Sequence, residues 1–269
     1  MNKTDTCLKL LVDDSVYRDI QFPKDENEKK QLVRSLMNVR MPRTISGDML
    51  KAQDEYLDNE LLAKKITNVS DIKTVRERYG SEMSCADRIS VWQGDITSLS
   101  IDAIVNAANS GLLGCFVPCH RCIDNAIHSA AGMQLREECN HIMNSRRIKY
   151  GNDYEEGVGT ATLTNAYKLP CRYVIHTVGP IVYGRLNEEH CKKLADCYLS
   201  CLTLAADKGL KSIAFCCIST GEFHFPEKEA AKIAVDTVTD FLEKNETIER
   251  VVFDVFKQQD CEIYEELLK

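Results

Sequence analysis

The chain lacks several features that would place it in a specialised class. No run approaches the roughly 18 apolar residues of a membrane-spanning helix. The N-terminal segment MNKTDTCLKLLVDDSVYRD has no apolar core and carries acidic residues early, which predicts that it is not a signal peptide. Lysine and arginine number 34 against 41 aspartates and glutamates, which gives a net charge of −7. This balance argues against binding to anionic membranes and against non-specific binding to nucleic acid.

Cysteine is abundant, but it does not follow the pattern of a disulfide framework. There are 13 cysteines, an odd number, without a repeating spacing and with one adjacent pair, Cys216 and Cys217. This pattern predicts free thiols and a reducing, cytoplasmic location. A length of 269 residues with 44% hydrophobic and 28% charged residues predicts a globular protein of one large domain, or of a core domain with an extension.

The hydrophobic pattern changes near residue 85. Residues 1–85 show helical spacing, with Ser46 placed to cap one helix and Pro42 to end another, and we expect a helical N-terminal extension. Residues 86–269 alternate β-branched strands with helices. The expected strands are 88–93, 101–105, 159–166, 172–178, 212–218 and 250–255, and the expected helices are 124–144, 188–208, 227–243 and 261–268. This alternation predicts an α/β fold with a parallel or mixed sheet and helices on both faces.

Two of the loops that leave these strands carry polar residues suited to a nucleoside. In such sheets, ligands bind outside the carboxyl ends of the strands. Gly94-Asp95-Ile96 follows the first strand, and its carboxylate suits either an exocyclic amine, as adenine offers, or the cap of a turn. The loop at 106–111 follows the second strand. Its amides, Asn106 and Asn109, suit ribose hydroxyls, although Asn-Ser-Gly is also an ordinary turn.

A third loop, 219–226 (STGEFHFP), lies between a strand and a helix and is called the Ser219 loop below. Small residues at a helix N-terminus predict a nest of backbone N–H groups that binds an anion such as pyrophosphate. The loop contains no lysine, so it is not a Walker motif. For Phe223 and Phe225 the alternatives are core packing and stacking on a ribose or base, and His224 is expected at the surface.

Four potential metal ligands, Cys115, Cys119, His120 and Cys122, lie within eight residues; segment 115–122 is called the Cys/His loop below. Cysteine and histidine are the ligands that zinc prefers. Four ligands would close the site, whereas three would leave a position open. Adjacent side chains diverge in an extended loop, which favours Cys115, His120 and Cys122 as ligands of one Zn²⁺. The alternative is a set of reduced cysteines without metal, while the histidine fits an iron–sulfur cluster poorly.

Other polar residues near these loops have less defined roles. Asp124 and His128 are one helical turn apart, and they either form a local pair or orient the metal ligands. Asp102 and Glu222 are the nearest candidates for a general base. A nucleoside-type deaminase would carry a His-x-Glu before its cysteines, and this chain does not.

Together these segments resemble the macrodomain family, whose members have an ADP-ribose-binding three-layer α/β/α fold. The resemblance runs from about Arg88 to the C-terminus and rests on Gly94-Asp95-Ile96, on 102–109 (DAIVNAAN) and on 219–223 (STGEF). The Cys/His insertion resembles a narrower group, the zinc-containing macrodomains of Gram-positive bacteria and fungi. These are similar to protein-ADP-ribose hydrolases and, in bacteria, are associated with a sirtuin-type ADP-ribosyltransferase that acts on a lipoyl-carrier protein.

The resemblance implies a role for each matching residue. Asp95 and Ile96 would bind adenine, and Asn109 would bind the distal ribose. The pyrophosphate and the distal ribose would be held by Ser219, Thr220, Gly221, Glu222 and Phe223. One Zn²⁺ beside the distal ribose would be held by Cys115, His120 and Cys122, which with Asn109 are the implied catalytic residues.

The implied reaction is hydrolysis that removes mono-ADP-ribose from modified protein side chains and releases ADP-ribose. Aspartate or glutamate linkages are expected, with a lipoyl-carrier protein as a candidate substrate and a monomer as the active form. The alternative is a non-catalytic module that binds ADP-ribose and has a structural zinc. The implied domains are a helical extension over 1–85 and a macrodomain over 86–269.

Overall fold

The structure, a computed structural model, describes residues 2–269 and divides into two compact units. The first unit contains the chain as far as Lys65 together with 111–154 and 166–169. The second contains 66–110, 155–165 and 170–269. The expected domain boundary between residues 85 and 86 stays a prediction.

The elements follow the expected alternation. The helices are α1 (Lys3–Asp14), α2 (Glu26–Val39), α3 (Gly47–Ala63), α4 (Val75–Tyr79), α5 (Ile123–Ala131), α6 (Met133–Tyr150), α7 (Glu188–Asp207), α8 (Glu227–Leu242) and α9 (Gln258–Leu268). The strands are β1 (Thr67–Asn68), β2 (Ile89–Gln93), β3 (Leu99–Ser100), β4 (Ala103–Ala108), β5 (Ala161–Asn165), β6 (Tyr173–Val178), β7 (Ser212–Phe215) and β8 (Arg250–Val255).

Several element boundaries differ from expectation, and two of the differences lie next to the polar loops. The helix expected over 124–144 is two helices, because Gly132 has a φ of 95° between α5 and α6, a conformation that glycine adopts without steric cost. The strand expected over 101–105 instead runs to Ala108. Asn106 therefore lies inside β4, where its neighbours across the sheet belong to β6 and not to a loop.

Helices make up the first unit. Ser46 caps α3 as expected, since its Oγ accepts a hydrogen bond from the backbone N–H of Met49 at 3.3 Å. Asp25 caps α2 with a side-chain oxygen. The apolar faces of α1, α2 and α3 share one core with the start of α6. This core includes Cys7, Leu8, Leu11, Val33, Leu36, Met49, Tyr56 and Met133. Burial of apolar surface is the main stabilising contribution for helices of this length.

A six-stranded sheet forms the centre of the second unit, with the order β2-β8-β7-β4-β6-β5. Every neighbouring pair is parallel except β5 with β6, which is antiparallel. Helices α7 and α9 pack against strands of this sheet, and α8 packs against both helices. This is the expected fold, a mixed and mostly parallel sheet flanked by helices, and the loops after β2, β4, β6, β7 and β8 all lie at one edge.

Within residues 2–269, no helix combines the length and the apolar character needed to cross a membrane.

Candidate functional site

Asp95 lies at the carboxyl end of β2, at the edge where ligands are expected. Its Oδ1 accepts hydrogen bonds from the backbone N–H of Thr97 at 3.0 Å and from the Thr97 hydroxyl at 2.6 Å. The aspartate therefore caps the 3-10 turn at Ile96–Ser98, one of the two roles expected of it. Ile96 is buried and Asp95 is exposed, so the capping carboxylate faces solvent at this edge. Contact of Asp95 with adenine stays a prediction.

Asp254 is a second carboxyl group near Asp95 that the sequence patterns do not single out. It lies on β8 opposite Trp92, it is buried, and within residues 2–269 its Oδ1 has no hydrogen-bond partner. Burial raises its pKa well above the usual range, and the charge of Asp95 raises it further. The signal in the sequence is the one acidic residue inside the apolar strand RVVFDV. A carboxyl group kept neutral can donate as well as accept a hydrogen bond.

Asn106 does not face a ligand, and its expected role at a ribose is wrong. Its side chain is fully buried, and its Nδ2 donates to Nδ1 of His176 at 3.1 Å. Because Nδ1 accepts, Nε2 carries the proton and donates to Oγ1 of Thr164 at 2.9 Å. Burial lowers the pKa of His176 to about 3, so the ring is neutral. Asn109, three residues later at the strand end, is exposed.

The Ser219 loop has a strained and internally bonded backbone. Ser219 and His224 have φ values of 65° and 57°, which cost roughly 1 kcal/mol or more each for residues with a β-carbon. The loop is closed by hydrogen bonds from the backbone N–H of Phe225 to the carbonyl of Ser219 at 3.0 Å and from that of His224 to the carbonyl of Gly221 at 3.1 Å. Strain of this kind is found at binding loops more often than elsewhere.

The side chains of the Ser219 loop divide between core and surface. Phe225 is 1% exposed and belongs to the core, whereas Phe223 is half-buried and His224 is exposed, as expected. The hydroxyl of Ser219 is buried and has no hydrogen-bond partner within residues 2–269. The loop thus presents its backbone and one buried hydroxyl, a composition suited to an anionic ligand.

Asp102 lies away from the carboxyl edge, so its expected role as a general base is wrong. It precedes β4 and accepts hydrogen bonds from the backbone N–H of Lys211 at 2.8 Å, from Arg172 at 2.9 Å and from the Ser212 hydroxyl at 3.2 Å. Partial burial raises the pKa of Asp102, but these hydrogen bonds outweigh it and hold the pKa below its usual range. The group therefore joins the start of β4 to the start of β7.

The first unit contains the Cys/His loop, and three of its side chains converge. Sγ of Cys115, a ring nitrogen of His120 and Sγ of Cys122 all lie within 4.8 Å of one another. The separation between Cys115 Sγ and His120 Nδ1 is 3.6 Å. Two ligands of a tetrahedral zinc, one sulfur and one nitrogen, are about 3.6 Å apart when the bonds have their usual lengths. The donor set and its spacing therefore fit zinc.

Cys119 points away from these three ligands. Its φ is 52°, and its Sγ lies 3.2 Å from the Ser35 hydroxyl and 3.4 Å from the carbonyl oxygen of Gln31. Both contacts are with α2. This arrangement supports the expected set of three ligands over a set of four.

Cys122 also has a structural contact. It is the N-cap of α5, where its Sγ accepts a hydrogen bond from the backbone N–H of Asn125 at 3.4 Å. Burial raises the pKa of the Cys122 thiol to about 12, and the nearby Cys115 raises it further, while the N–H of Asn125 acts in the opposite sense. A bound cation would reverse this balance, because metal ligation requires the thiolate.

Asp124 and His128 form the local pair that was one of the two expectations. Nε2 of His128 lies 3.5 Å from Oδ1 of Asp124, and both side chains are almost completely buried. The pair closes one turn of α5, immediately after the Cys/His loop.

Comparison with known proteins agrees with the observed fold. A family model described as "Macro domain" matches residues 105–234. The chain is 49% identical over 259 residues to a protein-ADP-ribose hydrolase of Treponema medium, over 96% of this chain and 95% of the relative. A Trypanosoma brucei macrodomain in complex with ADP-ribose matches with a TM-score of 0.66 and 27% identity, over 92% of this chain and 97% of that one. An Oceanobacillus iheyensis macrodomain with ADP matches with a TM-score of 0.60 and 38% identity, over 66% of this chain and 88% of that one.

Proposed function

The chain belongs to the macrodomain family, and from that premise we propose that it is a zinc-dependent ADP-ribosylhydrolase. It removes mono-ADP-ribose from modified protein side chains and releases ADP-ribose. The observation that carries the proposal is the convergence of Cys115, His120 and Cys122 in a chain that also presents Asp95 and the Ser219 loop at the carboxyl edge of its sheet. The relative in Treponema medium is named a protein-ADP-ribose hydrolase, which supports the reaction class.

Residues of the second unit bind the nucleotide in this proposal. Asp95 accepts a hydrogen bond from the adenine amine, and Ile96 contacts the base with its backbone. The amides of Gly221, Glu222 and Phe223 donate to the pyrophosphate, with Ser219 and Thr220 completing the nest. The internal hydrogen bonds of the loop keep these amides in place before the ligand arrives, so that little ordering cost is incurred on binding.

The distal ribose is bound by an amide at the end of β4. Asn109 is exposed there, and its side chain both donates and accepts, as recognition of ribose hydroxyls requires. By holding this ribose, Asn109 orients the bond to the modified side chain for attack by water. Orientation of this kind is one of the larger contributions to enzymatic rate enhancement.

Cys115, His120 and Cys122 would hold the zinc ion. When bound, zinc supplies Lewis acidity that polarises an oxygen of the substrate or of water. Two thiolate ligands donate negative charge and moderate that acidity, which favours a role in positioning over strong activation of water. Three ligands from the protein leave one coordination position open, as catalytic zinc sites require.

The substrate in this proposal is a protein with mono-ADP-ribose on aspartate or glutamate, and a lipoyl-carrier protein is the acceptor to test first. We propose a monomer in a reducing cytoplasm. All thirteen cysteines are free thiols, which supports a reducing location.

The test measures ADP-ribose release from an acceptor protein modified on acidic side chains. Chelation of zinc, or the substitution Cys122→Ala, is expected to lower the rate at least roughly 100-fold, while Cys119→Ala keeps most of it. A folded Cys122→Ala protein that has lost zinc but retains full activity would exclude a catalytic zinc. Tight binding of ADP-ribose without any turnover at stoichiometric protein would favour the alternative, a module that only binds ADP-ribose.

A further inference from the structure

We infer that α2 holds the Cys/His loop in its metal-ligating conformation through two positioning residues, Arg34 and Asn38. The inference rests on the zinc site of the proposed function. It gives α2 a role at the metal site that the sequence patterns do not assign to this helix. Neither residue supplies a ligand atom, so both act through the loop.

Arg34 donates hydrogen bonds to the backbone of the ligand His120 and to the side chain of Asn125, which follows the loop. Its Nη2 donates to the carbonyl oxygen of His120 at 3.1 Å. Its Nε and Nη2 also donate to Oδ1 of Asn125, at 3.1 and 2.7 Å. A planar guanidinium makes such forked contacts in one geometry only, so the position of Arg34 sets the positions of both partners.

Asn125 transmits this constraint to the other parts of the loop. Its side chain is completely buried, and its Nδ2 donates to the carbonyl oxygen of Val117 at 3.0 Å. Its backbone N–H donates to Sγ of Cys122 at 3.4 Å. Asn125 thus holds the middle of the loop through its side-chain amide and a ligand sulfur through its backbone N–H.

Asn38 holds the point at which the loop changes direction. Its Oδ1 accepts a hydrogen bond from the backbone N–H of Cys119 at 2.9 Å, and its Nδ2 donates to the Ser129 hydroxyl at 2.9 Å. Cys119 has a left-handed φ of 52°, a conformation that is unfavourable for a residue with a β-carbon. This conformation turns the Cys119 thiol onto α2 and leaves the adjacent His120 to face Cys115.

The start of the loop is held in a similar way by a buried arginine on α6. Arg136 donates to the carbonyl oxygens of Leu113 at 2.7 Å and Cys115 at 3.4 Å. It also binds the carbonyls that end α2, those of Met37, Asn38 and Arg40. Its loss would leave several buried groups unpaired, so Arg34 and Asn38 are the better residues for an experiment.

The ligands are therefore preorganised by contacts outside the ligand set. Groups that orient metal ligands in this way typically change metal affinity by 10- to 100-fold when they are removed. A purely structural role for α2 would instead lower the stability of the protein and leave the metal affinity of the folded fraction unchanged.

The experiment compares zinc affinity among full-length variants by competition with a chromophoric chelator. Arg34→Met and Asn38→Ala are each expected to weaken binding about 10- to 100-fold, and Arg34→Lys recovers part of the loss because it keeps one donor. The matched control is Lys30→Met, which removes a cation of the same helix that pairs with Glu60 at 2.7 Å and leaves the loop contacts intact. Absorption spectra of the Co²⁺-substituted proteins report the ligand geometry, and we expect altered bands for Arg34→Met and Asn38→Ala only.

Each outcome decides the inference. If the wild-type protein takes up no zinc, the proposed metal site fails, and the positioning role fails with it. If the wild-type protein binds zinc and both variants match its affinity and cobalt spectrum, only the positioning role is wrong. A loss in Lys30→Met as large as that in Arg34→Met would also overturn it, since the effect would then belong to the helix in general. Should Arg34→Met fail to fold, Arg34→Lys and Asn38→Ala supply the same comparison.

Discussion

Gly179, at the end of β6, lies so close to Ser219 that a β-carbon at position 179 would be 2.0 Å from the Ser219 Oγ. Contacts this short do not occur between real atoms, so a larger residue at position 179 would force the side chain of Ser219 to move. The buried hydroxyl is thus part of a close contact between two loops at the carboxyl edge. The absence of a side chain at position 179 leaves room for the buried Oγ of Ser219.

Gly179→Ala is expected to weaken ADP-ribose binding by about tenfold and to lower the free energy of unfolding by about 1–3 kcal/mol, the usual cost of overpacking. Calorimetric titration and urea unfolding measure the two effects. The control is Gly47→Ala, because a β-carbon at that position meets no atom within 4 Å. Wild-type affinity in Gly179→Ala would mean that the position of Ser219 does not affect nucleotide binding.

Asp95→Ala tests the contact with adenine separately from the capping role. Loss of the cap is expected to cost about 1 kcal/mol of unfolding free energy. Loss of the adenine contact is expected to remove the preference for ADP-ribose over the analogue in which hypoxanthine replaces adenine. Titration of both ligands into both proteins gives the four affinities. If the wild-type protein binds the two ligands equally well, Asp95 does not read the exocyclic amine.

Cys119 and Cys122 are expected to differ in their effect on zinc content. Cys119→Ser should bind one zinc ion per chain, because its Sγ contacts Ser35 and Gln31 and not the other ligands. Cys122→Ser should lose most of the metal, since an alcohol is a poor zinc ligand at neutral pH. Elemental analysis of the purified proteins gives the ratio. Equal loss of zinc in both variants would point to a site with four ligands.

His176 predicts a dependence of stability on pH. Its pKa is lowered from 6.5 to about 3 by burial, so between these values the unfolded chain binds a proton that the folded protein does not. Stability is therefore complete above pH 6.5 and decreases as the pH falls from 6.5 towards 3. From pH 7 to pH 5 this single group contributes a loss of about 2 kcal/mol. Urea unfolding at both pH values should show that His176→Gln loses about 2 kcal/mol less unfolding free energy than the wild-type protein between pH 7 and pH 5. If the unfolding free energies of the two proteins depend on pH equally, the lowered pKa of His176 is wrong.

Several features of the fold follow from local sequence patterns, because they depend on spacing along the chain. Alternation of apolar strands with amphipathic helices predicts the mostly parallel sheet, and Ser46 predicts the start of α3, as the structure confirms. The spacing of Cys115, His120 and Cys122 predicts a set of metal ligands, but an extended segment of this length spans more than about 20 Å, so their convergence within 4.8 Å depends on how the loop folds. Asp95 follows β2 and Ser219 follows β7, so both loops lie at the carboxyl edge of the sheet, as the order of strands along the chain predicts.

Contacts between distant parts of the chain were decided only by the tertiary structure. Asn106 and Asn109 are the same residue type three positions apart, yet Asn106 is buried because a neutral His176 lies on the adjacent strand. Asp102 directly precedes β4 and so lies at the amino edge of the sheet, where it accepts hydrogen bonds from Arg172 and Lys211, residues 70 and 109 positions away. Arg34 reaches Asn125 across 91 positions of sequence, and no periodicity within one element encodes such a pair. A polar side chain acquires its role from the partner that satisfies its hydrogen bonds, and that partner is known only once the chain has folded.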